Sequence, residues 1–201
     1  MILENGVKLY GELYDWLTSI SCGEYRKETS YKYYQRELWN PILEKLDELS
    51  KMDKSELSQN EEAFLKNVLY EGKVYRKMNY HNKRRGHVFE MLEYASWSSD
   101  CEGVQAVPGL GGEILLLVGY TDRGINIKEL LIYFCAIKAY NSFGESKSIY
   151  KLDRYFDENE IAAPTLFKDI KDIKIINLKD IDEWKTIGVS LEKHKWKRNK
   201  I

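Results

Sequence analysis

The sequence lacks the features that usually announce a class at first reading. It has only three cysteines, Cys22, Cys101 and Cys135. They are odd in number and scattered, and no Cys/His spacing matches a zinc site, so neither a disulfide framework nor a structural metal is expected. Reduced thiols in a cytoplasm are the simplest account. No apolar stretch reaches membrane length: the longest, Leu130 to Ile137, is far shorter than a bilayer span. The start, Met1-Ile2-Leu3-Glu4-Asn5, has no basic segment leading into an apolar one, so no signal peptide is expected. The expected location is therefore the cytoplasm, of the producing cell or of a target cell reached without such a signal. Charge of one sign is also missing. Lys and Arg total 31 against 32 Asp and Glu, a formal net charge of -1, so no overall basic field argues for nucleic acid.

What is present is an ordinary globular balance over 201 residues, 43% hydrophobic and 31% charged. This length supports one compact domain, or one domain with a small helical lobe. Charge gathers locally in His81-Asn82-Lys83-Arg84-Arg85-Gly86-His87 and in Lys193-His194-Lys195-Trp196-Lys197-Arg198. Each reads as a solvated loop or tail, with a binding patch as the alternative.

The first third is helical in pattern. Residues 7–20 place Val7, Leu9, Tyr10, Leu13, Tyr14, Trp16 and Leu17 at helical spacing, and residues 30–50 do so with Tyr34, Leu38, Ile42, Leu43, Leu46 and Leu49. Pro41 marks a helix start or a kink. Ser58-Gln59-Asn60-Glu61 has the form of a capping box, and Gly72 is the expected helix stop. Strand character follows at Lys73–Met78, Tyr94–Ser98 and Glu113–Tyr120, with a helix predicted over Asn126–Asn141, where β-branched and aromatic content leaves strand as the alternative for part of it. Gly144–Lys151 reads as a loop, and Ile161–Lys168 and Lys174–Leu178 as closing strands. Helices first and strands later predict an α+β fold, taken as a single domain over 1–201 with a helical part over 1–72 and a mixed, β-rich core over 73–201.

Three short groups in the second part carry chemistry. Glu158 and Glu160, in Asp157-Glu158-Asn159-Glu160-Ile161, would face the same way on a strand, roughly 6–7 Å apart. Two carboxylates that close resist joint ionisation, a cost usually met where acid, base or cation-stabilising work is done. Ser96 and Ser98, around Trp97, likewise share one strand face, and a serine hydroxyl can hold a carboxylate in one rotamer. Arg76, after Val74-Tyr75, offers a planar fork for phosphate oxygens. Singly, these read as a polar turn, edge-strand serines and a surface ion pair.

Taken in order, Arg, then Ser-x-Ser, then Glu-x-Glu, the groups resemble the R-S-E class of mono-ADP-ribosyltransferases, the arginine-type, cholera-toxin-like enzymes. The capped helix before Arg76, the stretch Gly112–Val118 followed by Gly124-Ile125-Asn126-Ile127, and Asp157–Pro164 all look like that family's surroundings. The likeness covers roughly residues 57–178, and the layout is similar to the small phage and toxin ADP-ribosyltransferases. Lys77 stands where the family often has glycine, Trp97 where it often has threonine, and Ile161-Ala162-Ala163 where it has larger aliphatics.

The resemblance implies two packed, mainly antiparallel sheets around an NAD cleft, with an N-terminal helical lobe. It implies NAD as co-substrate, no metal and no membrane, and a macromolecular acceptor, a protein arginine before a nucleic acid. Glu160 would be the catalytic carboxylate and Glu158 the residue that orients the acceptor. Ser96 would hold Glu160 and Ser98 would support the nicotinamide pocket. Arg76, with Tyr75 beside it, would bind the NAD phosphates, and Tyr155 or Phe156 would touch the acceptor or else lie buried. The alternatives are transfer to RNA or DNA guided by the basic segments, NAD hydrolysis without an acceptor, and a non-enzymatic interaction or immunity protein.

Overall fold

The computed structural model describes residues 2–22, 32–79, 94–100, 114–156, 159–164 and 171–177. Glu158, the basic segments 81–87 and 193–198, and Gly109, Gly111 and Gly112 lie outside these residues. The chain divides into two units: a helical one of Met1–Leu69 with Ile125–Phe156, and one of strands, Tyr70–Gly124 with Asp157–Ile201. The division expected at residue 72 thus falls at 69, and the helical unit also takes in a later return of the chain.

The helical unit begins with α1 (Gly6–Cys22). Leu9, Tyr10, Leu13, Tyr14, Trp16 and Leu17 are buried on it, as their spacing predicts, whereas Val7 is exposed. A π-helical turn, Gln35–Trp39, runs into α2 (Asn40–Lys51), where Pro41 sits in the first turn. The Asn40 N–H donates to the Gln35 carbonyl, five residues back. Proline supplies no N–H and crowds the carbonyl four residues before it, so a widened turn upstream is a local answer to Pro41. The turn also presents Trp39, whose ring meets Trp16 edge to face at 4.8 Å.

The third helix, α3 (Gln59–Val68), carries the capping box complete. The Ser58 hydroxyl accepts from the Glu61 amide at 3.3 Å, and the Glu61 carboxylate accepts from the Ser58 amide at 3.0 Å. The helix ends earlier than Gly72, because Leu69 is already extended (φ -72°, ψ 122°). Val68, Leu69 and Tyr70 favour strand, and the chain enters the sheet there. The last helix, α4 (Ile127–Ala136), is capped by Asn126 and buries Ile127, Leu130, Leu131 and Phe134. It stops short of Asn141: Lys138 turns left-handed (φ 54°) and a 3-10 turn, Ala139–Phe143, follows. A second 3-10 segment spans Ile149–Phe156, part of which was expected as loop. Among the described residues, no helix is long and apolar enough to cross a membrane.

The strands are β1 (Leu69–Asn79), β2 (Tyr94–Ser98), β3 (Ile114–Asn126), β4 (Glu160–Pro164) and β5 (Lys171–Asn177). They form one sheet in the order β1-β2-β4-β3-β5, with a further β1–β3 pairing. That pairing closes β1, β2, β4 and β3 into a four-stranded ring, and β5 extends it from β3. Two separate packed sheets, as the family resemblance implies, are not found among the described strands. One face of the ring gathers Val74, Trp97, Leu117, Ile161 and Ala163 into an apolar cluster, with Tyr70 packed against it. β3 continues through Gly124, where a turn was expected. A Cβ at Gly124 would lie 2.7 Å from Ile161 Cγ2 and 3.1 Å from Tyr70 Cδ1, so the close approach of β3 to β4 requires glycine there.

Candidate active site

Strand register decides which of the sequence-predicted residues meet. β2 and β4 run antiparallel through five consecutive pairs, from Tyr94↔Pro164 to Ser98↔Glu160. β1 joins β2 with Tyr75 opposite Ser98. Tyr75, Ser98 and Glu160 therefore form one transverse row across three strands, on the face opposite the Trp97 cluster. Directly opposed residues place their Cβ atoms about 4.5–5.5 Å apart, within reach of a serine hydroxyl and a carboxylate. Ser96 shares this face but stands opposite Ala162. It is one step along the strand from the pair, so the direct neighbour of Glu160 is Ser98 rather than Ser96.

This row is buried. Glu160 is 3% exposed, Ser98 4% and Tyr75 6%. Among the described residues, Ser98, Thr121 and Glu160 are the buried polar ones, and Glu160 is the ionisable one of the three. An ionised carboxylate is costly to hold away from water. Packing alone does not select glutamate at this position, and Ser98 stands directly opposite it in the register.

The turn before Glu160 changes one expectation. Strand alternation would set Glu158 and Glu160 on a common face only if the chain were extended through residue 159. Asn159 instead lies in the left-handed region (φ 47°), and β4 begins at Glu160. The parity argument for a paired carboxylate therefore does not apply here, and Glu158 lies outside the described residues.

Arg76 lies on the other face. Its guanidinium carbon is 6.0 Å from the centre of the Trp97 ring, and Trp97 packs with Val74 and Ile161. The structure thus brings Tyr75, and not Arg76, to the Ser98–Glu160 row, because neighbouring residues of a strand alternate faces. The same alternation explains Trp97 in place of a smaller residue: its side chain fills the apolar cluster and leaves the serine face unchanged. Tyr155, for which acceptor contact and burial were both open, is buried at 5% exposure in the helical unit. Its hydroxyl donates to the Leu17 carbonyl at 2.6 Å, which gives the ring a core role. Phe156 closes the same 3-10 segment, and its side chain is outside the described residues.

Two residues that sequence reasoning passed over border the row. The Asn159 side-chain amide donates to the Asp100 carboxylate at 2.7 Å, and the Ser99 amide donates to the Asn159 carbonyl at 3.0 Å. The Asp100 amide points at Ser98 Oγ across a longer 3.4 Å. One available signal was the Asn directly before a strand, since asparagine tolerates left-handed backbone and marks turns. Among the described residues, no group of three or more His, Cys, Asp or Glu is arranged to hold a metal ion. Comparison with protein-family models, with curated proteins and with solved structures gives no match for the chain.

Proposed function

We propose that the chain is a mono-ADP-ribosyltransferase, cleaving NAD and passing ADP-ribose to a macromolecular acceptor, with Glu160 as the catalytic carboxylate. The observation that carries this reading is the buried Glu160 directly opposite Ser98, in the order and spacing that resemble the R-S-E enzymes. A fixed carboxylate can accept a hydrogen bond from a ribose hydroxyl and stabilise positive charge at the anomeric carbon as the glycosidic bond breaks. Nicotinamide leaves with the bonding electrons, the acceptor forms the new bond to that carbon, and the acceptor's proton passes to a base. Ser98 braces the Glu160 carboxylate, and Tyr75 adds a phenol beside it. In the resemblance Ser96 holds the catalytic carboxylate and Ser98 supports the nicotinamide pocket, and the register favours Ser98 as the neighbour of Glu160. In the resemblance Glu158 orients the acceptor, and a glutamate at that position points to protein arginine. The site rests on Tyr75, Ser96, Ser98 and Glu160. A phosphate-binding role for Arg76 has support from the resemblance and none from its position on the Trp97 face.

The burial of Glu160 favours one other reading, in which the row is a polar core element of a non-enzymatic interaction protein. Incubation with NAD labelled in the adenylate part and a cell lysate separates the two. The transferase reading expects a labelled band that protease destroys. A band destroyed by nuclease instead moves the acceptor to nucleic acid, and no label with no nicotinamide released supports the non-enzymatic reading.

A further inference from the structure

Glu160 is the first residue of β4, so the backbone of Asn159 sets where its side chain begins. Asn159 takes a left-handed conformation (φ 47°) that few side chains adopt readily. Three contacts gather at this turn. The Asn159 amide reaches the Asp100 carboxylate at 2.7 Å, the Asn159 carbonyl takes the Ser99 N–H at 3.0 Å, and the Asp100 N–H faces Ser98 Oγ at 3.4 Å. The first two tie the end of β2 to the start of β4 directly beyond the Ser98↔Glu160 pair, and the third is a local turn contact within the end of β2. Among the described residues, the register runs to Ser98↔Glu160 and one backbone bond, Ser99 N–H to the Asn159 carbonyl, continues it, so fraying from this end reaches the catalytic pair once that bond opens. Asp100 and Asn159 meet where that fraying would start.

We propose that Asp100 and Asn159 form a clasp that positions the Glu160 carboxylate against Ser98. Their importance to turnover rests on the functional reading above, whereas their hold on Glu160 does not. Asn159→Gly tests this, because glycine accepts the left-handed backbone without strain while removing the side-chain bond. Asp100→Asn is the conservative partner, retaining an acceptor oxygen without the charge.

Two readouts apply to each folded variant: the titration midpoint of the Glu160 side chain, followed by carboxyl carbon NMR, and kcat and KM for NAD cleavage. The clasp predicts a displaced Glu160 midpoint in Asn159→Gly, which changes no charge. It also predicts a kcat lower by about 10- to 100-fold with KM changed far less, since displacement of a reacting group by about an ångström has effects of this order. Asp100→Asn is expected to keep most of both. A folded Asn159→Gly protein with the wild-type midpoint overturns the clasp, even if the wild type cleaves NAD. A shifted midpoint in a protein that never cleaves NAD upholds the clasp and removes the transferase reading instead. Should Asn159→Gly fail to fold, Asp100→Ala carries the same comparison against Asp100→Asn: wild-type kcat and midpoint in both overturn the clasp, and loss in Asp100→Ala with retention in Asp100→Asn upholds it.

Discussion

Ser96 and Ser98 are chemically identical and two residues apart, yet register gives them different neighbours. Ser98 faces Glu160 directly, while Ser96 faces Ala162. A hydrogen bond to a charged group is worth about 1.5–3 kcal/mol, so loss of a hydroxyl that serves the carboxylate lowers turnover by roughly 10- to 100-fold. Ser98→Ala is therefore expected to reduce kcat for NAD cleavage by that much, and Ser96→Ala by clearly less. Steady-state kinetics of the two purified variants checks the ranking, and the reverse order would return Ser96 to the role that the family resemblance implies. At this scale the sequence was informative about residue types and poor about facing. Ser-x-Ser and Glu160 could be picked out by pattern. The opposite face of Arg76 and the core burial of Tyr155 could not, because each follows from pairing or packing with residues far away in sequence.

The elements whose signals are local were the legible ones. The α3 cap was readable because Ser58 and Glu61 satisfy one another within a single turn. The Glu61 carboxyl is held below its ordinary 4.5, first by the hydrogen bond from the Ser58 side chain and then by that from the Ser58 backbone. With the folded value depressed, the stabilisation is present above pH 4.5 and is lost as the pH falls through the lowered value. Ser58→Ala is expected to lower stability by about 0.5–2 kcal/mol in denaturant titrations near neutral pH. Its Glu61 carboxyl should move back toward the ordinary value, with a smaller loss of stability below it. β2 was also legible, with the expected bounds Tyr94–Ser98.

Element ends set by tertiary contacts were not legible. The entry into β1 at Leu69 and the continuation of β3 through Gly124 depend on sheet pairing. Gly124 has no positive-φ requirement, so its cost of substitution is one of space. Gly124→Ala drives a methyl against Ile161 Cγ2 and should destabilise by about 1–3 kcal/mol. Thermal unfolding measures this, and an unchanged midpoint would argue against the close β3–β4 approach.

For the whole molecule, composition and order supported mixed helices and strands, and the chain has both. The helical unit, however, is assembled from two separated stretches. Helical periodicity identified α4 but carried no information on which unit it joins. The ring closed by β1–β3 was equally hidden, since it pairs strands far apart in sequence. What the fold adds to the functional reading is a buried Glu160 directly opposite Ser98. The most direct measurement is release of nicotinamide from NAD by the purified protein and by Glu160→Gln, with folding of both verified by circular dichroism. The account predicts steady release by the wild type and a fall on the order of 100–1000-fold in the variant, the usual effect of removing one positioned electrostatic group. Wild-type activity retained in a folded Glu160→Gln protein, or no release by the wild type, would contradict it.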